Sequence, residues 1–230
     1  MAIIERERTV CAGISPWLSP LAVLATEDIA LPAFFGRIRA LGRENLTSTG
    51  PVLLAPTHRS RWDALLLPYG AGRRVTGRDC HFMVTVDEMK GLQGWLLDRL
   101  GCFPVNQGRP SLASLRYAVD LLADGQQLVM FPEGRIRQED GEIQLQQGMA
   151  RLALLFANQG ATVPVVPVGI AYGHRCPRPG DPAAICFGEP LHASGQGRQA
   201  TQSFSNNLAV AMRSAEQAAR AAIGPLIDSP

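Results

Sequence analysis

His58 and Asp63 are the pair of residues in this 230-residue chain best suited to chemistry, and they sit in the stretch Thr57-His58-Arg59-Ser60-Arg61-Trp62-Asp63. An imidazole held by a carboxylate can take a proton from a hydroxyl, because the carboxylate fixes the tautomer and stabilises the imidazolium that forms. Their spacing does not bring the two together unaided. In an unbroken helix five residues turn the chain to about 140° apart, and in a strand the two side chains face opposite ways. A turn must intervene. Ser60 followed three residues later by Asp63 resembles a capping box, which starts a helix at about Arg61 and places Asp63 in its first turn. The same residues also fit a simple helix cap preceded by a loop histidine without a task.

A second block, Phe131-Pro132-Glu133-Gly134, is followed by Arg135 and Arg137. A carboxylate and two basic forks at the end of a strand make a cradle for a phosphate or a hydroxyl. An ordinary turn with solvated charges would read the same way. No Gly-x-Ser-x-Gly nucleophile elbow occurs. Gly70-Ala71-Gly72 follows a helix and lacks the third glycine of a dinucleotide-binding turn.

These residues need elements to hold them. Pro51–Pro56, His81–Val86, Gln127–Phe131, Val163–Ile170 and Ala184–Phe187 read as strands. Trp62–Tyr69, Gly91–Leu100, Ser111–Ala123, Gly148–Ala157 and Gln199–Ile223 read as helices. Strands alternating with helices of this length imply an α/β fold, a mainly parallel mixed sheet flanked by helices. His58 then falls just past the end of the first strand, where functional groups of such sheets gather. Ahead of this body, Leu31, Phe34, Phe35, Ile38 and Leu41 recur at helical spacing with Arg37, Arg39 and Arg43 nearby. That pattern fits a helix packed on the core and equally one lying in a membrane interface. The division expected is an N-terminal helical element, residues 1–42, with possible membrane contact, and an α/β domain, residues 43–230.

Composition narrows the partners. A net charge of +2 is too small to argue for nucleic acid. Of 22 basic residues only Lys90 is lysine, a bias that suits phosphate or anionic lipid and also suits an arginine-rich genome. Five cysteines without Cys-x-x-Cys spacing argue against a disulfide framework or a zinc site and for a reducing compartment. No metal site is expected. Residues 1–9 mix Glu and Arg with no compact apolar stretch behind them, so no secretory signal is expected. Residues 9–26 are uncharged but carry Gly13, Pro16 and Pro20, which disfavours a spanning helix.

The ordered blocks resemble the glycerophosphate and lysophosphatidate acyltransferase family, over roughly residues 40–190. They are His58 to Asp63 with Ser60 between, Gly101-Cys102-Phe103-Pro104-Val105, Phe131 to Gly134, and Val165-Val166-Pro167-Val168, led in by Gly42-Arg43-Glu44-Asn45-Leu46 and Gly50-Pro51-Val52. The resemblance implies direct acyl transfer from acyl-CoA or acyl carrier protein to a glycerolipid hydroxyl, foremost 1-acylglycerol-3-phosphate to give phosphatidic acid. Glycerol-3-phosphate, a phosphate-free acceptor and a non-catalytic lipid-binding role on the same scaffold are the alternatives. It implies His58 and Asp63 as catalytic, and Phe131, Glu133, Gly134, Arg135, Arg137, Arg109, Gly101 and Pro167 around the substrate. The thioester is a co-substrate, no further cofactor is expected, and the location implied is peripheral, on the cytosolic face of a membrane. Three positions depart from the pattern: Thr57 replaces the usual Asn, Gln107 replaces the second block's arginine, and Gly134-Arg135-Ile136 replaces Gly-Thr-Arg. Acyl transfer is thus better matched than the holding of an acceptor phosphate.

Overall fold

The structure, a computed structural model, describes residues 11, 13–106, 111–137 and 141–227. The expectations placed on residues 1–9, Gln107 and Arg109 lie outside the described residues. Seven strands form one sheet: β1 Arg37–Leu41, β2 Val52–Pro56, β3 Cys80–Thr85, β4 Cys102–Val105, β5 Gln127–Met130, β6 Val165–Tyr172 and β7 Pro182–Phe187. Their spatial order is β1-β7-β6-β2-β5-β3-β4. Every pairing is parallel except β6 with β7, so the sheet is mainly parallel and mixed.

β2 shows why these residues make a central strand. All five of its residues are buried, as a parallel strand covered on both faces requires. Leu53 and Ala55 point into a core with Leu122, Met149 and Phe204, whereas Val52 and Leu54 point into one with Leu31, Leu66 and Leu67. Helices supply both layers. Leu18–Val23, Leu24–Ala30 and Leu31–Phe34 run on as one helix, α1, whose middle segment is π-wound. The others are α2 Asp63–Ala71, α3 Arg73–Thr76, α4 Gly91–Arg99, α5 Leu112–Ala123, α6 Gly148–Asn158 and α7 Gly197–Ile223. α7 lies directly on β6: a Cβ on Gly169 would fall 2.0 Å from the Ala215 carbonyl carbon and 2.1 Å from the Glu216 nitrogen. Only glycine permits that approach.

The helix expected from Leu31 to Leu41 is corrected by the structure. It stops at Phe34, Phe35 is extended, and Arg37–Leu41 becomes the edge strand β1, parallel to β7. Gly36 forces the break. Its N–H donates to the Asp181 carbonyl at 3.0 Å, and a Cβ there would stand 2.6 Å from the Gly180 oxygen.

Candidate active site

The site is built where β2 ends. Thr57, fully buried, continues the strand: its N–H donates to the Val168 carbonyl at 2.8 Å, and its hydroxyl oxygen accepts from the Ile170 N–H at 3.0 Å. The residue that departs from the family pattern therefore ties β2 to β6. From there the chain turns, and helix α2 begins at Asp63 rather than Arg61. Half of the expected capping box is present. The Ser60 N–H donates to Asp63 Oδ2 at 2.9 Å, while Ser60 Oγ accepts from Trp62 rather than from residue 63.

Asp63 is fully buried, and a buried carboxylate requires donors. Oδ2 accepts from the Arg59 N–H at 2.7 Å and the Ser60 N–H at 2.9 Å, and lies 2.9 Å from His58 Nδ1. Oδ1 accepts from the Tyr172 hydroxyl at 2.6 Å. Its place in the first turn of α2 adds the favourable end of the helix dipole. With the carboxylate accepting on both oxygens, the network assigns the shared proton to Nδ1 and leaves Nε2 as the basic nitrogen. The His58 side chain keeps 21% of its surface exposed.

The second block closes on the first. The His58 N–H donates to Glu133 Oε1 at 3.0 Å, and the Arg137 N–H donates to the His58 carbonyl at 2.7 Å. The Phe131 ring lies 4.2 Å from the imidazole, centroid to centroid. Gly134, at φ +70°, completes the turn that this loop requires. Arg137 Nε donates to Glu133 Oε2 at 2.8 Å, and its Nη2 donates to both carboxylate oxygens of Glu216 on α7 at 2.9 and 2.7 Å. Arg59, also buried, approaches the same Glu216 at 3.5 Å. Burial opposes the charge on Arg137, but Glu216 and then Glu133 outweigh it and hold its pKa above the usual arginine value.

Beside the dyad opens a cavity of about 810 Å³, lined mostly by apolar groups. It runs along β3 past Cys80, Phe82 and Val84 and reaches Ser19, Ala22, Val23 and Thr26 of α1. The length of β3 makes that run roughly 20 Å. At the far end Ser19 donates to Asp79, which also pairs with Arg73. Burial pushes the thiols of Cys80 and Cys102, both on the wall, up to about 12. Arg61 and Glu88, 3.4 Å apart, line the cavity, as does Arg151. Among the described residues no group of three or more His, Cys, Asp or Glu is placed to hold a metal ion.

The structure thus gathers His58, Asp63, Phe131, Glu133, Gly134 and Arg137. Arg135 stands exposed on the same loop. Gly101 lies apart, at the start of β4 against Ile14 and His81, and Pro167 lies inside β6 paired with Ala55. Tyr172 and Glu216 are additions that sequence reasoning missed; neither belongs to a block, and no local pattern marks them.

A histidine and a buried carboxylate stand at the end of a parallel strand and open on an apolar channel, an arrangement suited to an enzyme that moves acyl groups. The family model described as Acyltransferase matches residues 37–171, more than half of the chain, and the protein belongs to that family. It is similar to the 1-acyl-sn-glycerol-3-phosphate acyltransferase of Bacillus subtilis (strain 168), with 26% identity over 158 residues, 68% of this chain and 75% of that protein. Its fold is like that of the crystal structure of PlsC, the 1-acyl-sn-glycerophosphate (LPA) acyltransferase from Thermotoga maritima. That match has a TM-score of 0.61 at 19% identity and covers 88% of this chain and 78% of that one.

Proposed function

We propose that this acyltransferase moves a fatty acyl group from acyl-CoA or acyl carrier protein to the free hydroxyl of 1-acylglycerol-3-phosphate, giving phosphatidic acid, with His58 as general base. The observation that carries the reading is the His58–Asp63 pair set against the apolar channel. The channel takes an acyl chain and sets its carbonyl near Nε2. His58 Nε2 removes the hydroxyl proton as the oxygen attacks the thioester carbonyl, and Asp63 stabilises the imidazolium. The tetrahedral adduct collapses with loss of the C–S bond, and the imidazolium returns the proton to the departing sulfur. Ester and free thiol are the products. No covalent acyl-enzyme, metal or further cofactor is needed.

A second reading, an acceptor without a phosphate monoester, is favoured by where Arg137 and Glu133 are engaged. Glu133 is held by Arg137 and by the His58 N–H, and Arg137 by Glu133, Glu216 and the His58 carbonyl, so neither is presented to a substrate. The arginines lining the cavity among the described residues are Arg61 and Arg151, and Arg135 is exposed on the adjoining loop. An acceptor panel read by mass spectrometry separates the two readings, using 1-acylglycerol-3-phosphate, glycerol-3-phosphate and lysolipids lacking the monoester, each with both donors. His58→Ala is expected to lower kcat by about 10²- to 10⁴-fold; near-normal turnover would remove His58 from the chemistry. Equal turnover with and without the acceptor phosphate selects the second reading.

The enzyme works as a peripheral protein on the cytosolic face of a membrane. Membrane contact is supported by apolar side chains exposed on the helices whose other residues line the channel: Trp17, Leu21, Leu24 and Ile29 on or beside α1, and Leu92, Trp95 and Leu96 on α4. Among the described residues no helix is long and apolar enough to cross a membrane.

A further inference from the structure

Tyr172 closes β6 and lies one residue beyond the segment the family model matches. It is 2% exposed, and its hydroxyl makes the 2.6 Å hydrogen bond to Asp63 Oδ1, the oxygen that His58 does not use. Its ring is fixed from the side by Phe35, stacked at 5.6 Å with the planes 19° apart. Phe35 in turn meets Trp62 edge-on at 5.2 Å, so the phenol cannot swing away without moving the residue that precedes Asp63. Burial first, then the charge and hydrogen bond of Asp63, keep the phenol protonated well above its ordinary range. It therefore remains a donor wherever the enzyme works.

We propose that Tyr172 is a positioning residue for acyl transfer: by donating to Asp63 Oδ1 it sets the carboxylate plane and limits the charge that Oδ2 presents to His58. The proposal rests on the reading of His58 as the base. Two amides and the imidazole crowd Oδ2, and without Tyr172 these three donors would all fall on that one oxygen. The carboxylate would then hold the imidazolium more tightly, and His58 would return its proton to the departing sulfur less readily. The other charged groups around the pair are Arg59, Glu133, Arg137 and Glu216. They pair among themselves, Glu133 and Arg137 meet His58 through its backbone, and Arg61 pairs with Glu88 at the mouth. None of them is altered by a change at Tyr172.

The test is Tyr172→Phe, with kcat and KM measured across pH. The expected result is a kcat lower by about tenfold, KM within about twofold, and the acid limb of kcat/KM moved upward by roughly half a pH unit. Ile185→Val, which thins the same core cluster on β7, should lower stability without moving the limb. Site-specific 3-fluorotyrosine at position 172 keeps the shape and strengthens the donor, so its limb should move to lower pH. An unshifted profile in both Tyr172 variants, or a Tyr172→Phe protein that is only less stable, overturns the proposal. If His58→Ala is inactive while both profiles stay put, only the role of Tyr172 fails; if His58→Ala is active, the reading beneath it fails instead.

Discussion

Four donors converge on the Asp63 carboxylate, two amides, an imidazole and a phenol, and their protons must stay in place for the group to remain charged while buried. The phenol should give a pH signature in stability beside the one proposed for the rate. Tyr172 is held well above its ordinary value of 10 in the folded protein, so the folded chain keeps this proton where the unfolded chain releases it. The stability it contributes is complete below about pH 10 and is lost as pH rises toward the folded value. Urea unfolding at pH 9 and pH 11 should therefore show a steeper loss for the parent than for Tyr172→Phe. The histidine and aspartate were legible in the sequence because a local turn joins them. The tyrosine was not, because it arrives 109 residues later through the register of β6 against β2. Arg137 shows the reverse case, a residue that was legible in a setting that was not. Beside a Pro-Glu-Gly turn it reads as a free fork for phosphate, and only the packing of α7 reveals Glu216 on its other side.

α7 is the element that turns this loop inward, and its Glu216 lies outside the family-matched segment. Glu216→Gln leaves the buried Arg59 and the largely covered Arg137 with weaker partners. Glu216 is partly exposed, and glutamine keeps an acceptor, so the expected loss is about 2 kcal/mol of stability rather than the larger cost of breaking a fully buried pair. Differential scanning calorimetry checks the loss, and a kcat reduced by more than KM would show that the loop bearing Glu133 had loosened. At the same scale, the five strands and five helices read between Pro51 and Ile223 all appear, within a few residues at their ends. The mistaken stretch was Leu31–Leu41. Ile38 and Leu41 satisfy a helical period, yet Ile38 and Ala40 also satisfy the alternation of a strand, and both pack on the core beside Phe35. Periodicity could not choose between them. Gly36, pressed against the backbone of Gly180, did.

Across the whole molecule the exposed apolar groups are unevenly spread. Trp17 is 83% exposed and Leu92 81% exposed, the first just ahead of α1 and the second on α4, two helices that line the channel. Burying such side chains in lipid is worth about 1.5–3 kcal/mol each. The pair Trp17→Ser and Leu92→Ser should weaken partition onto phosphatidylglycerol-containing vesicles by on the order of tenfold or more while leaving the thermal midpoint nearly unchanged. Vesicle co-sedimentation measures the first and differential scanning fluorimetry the second; unchanged partition would count against membrane contact through these helices.

The backbone of His58 is held from both sides by one loop: Glu133 takes its N–H and Arg137 supplies its carbonyl's donor. A designer who transplanted only Thr57–Asp63 into another α/β scaffold would carry the recognisable letters and leave behind the clamp. The smallest portable unit is two segments and a buried partner, His58–Asp63 with Phe131–Arg137 and Tyr172, and a graft lacking any of the three should bind its histidine loosely and turn over slowly.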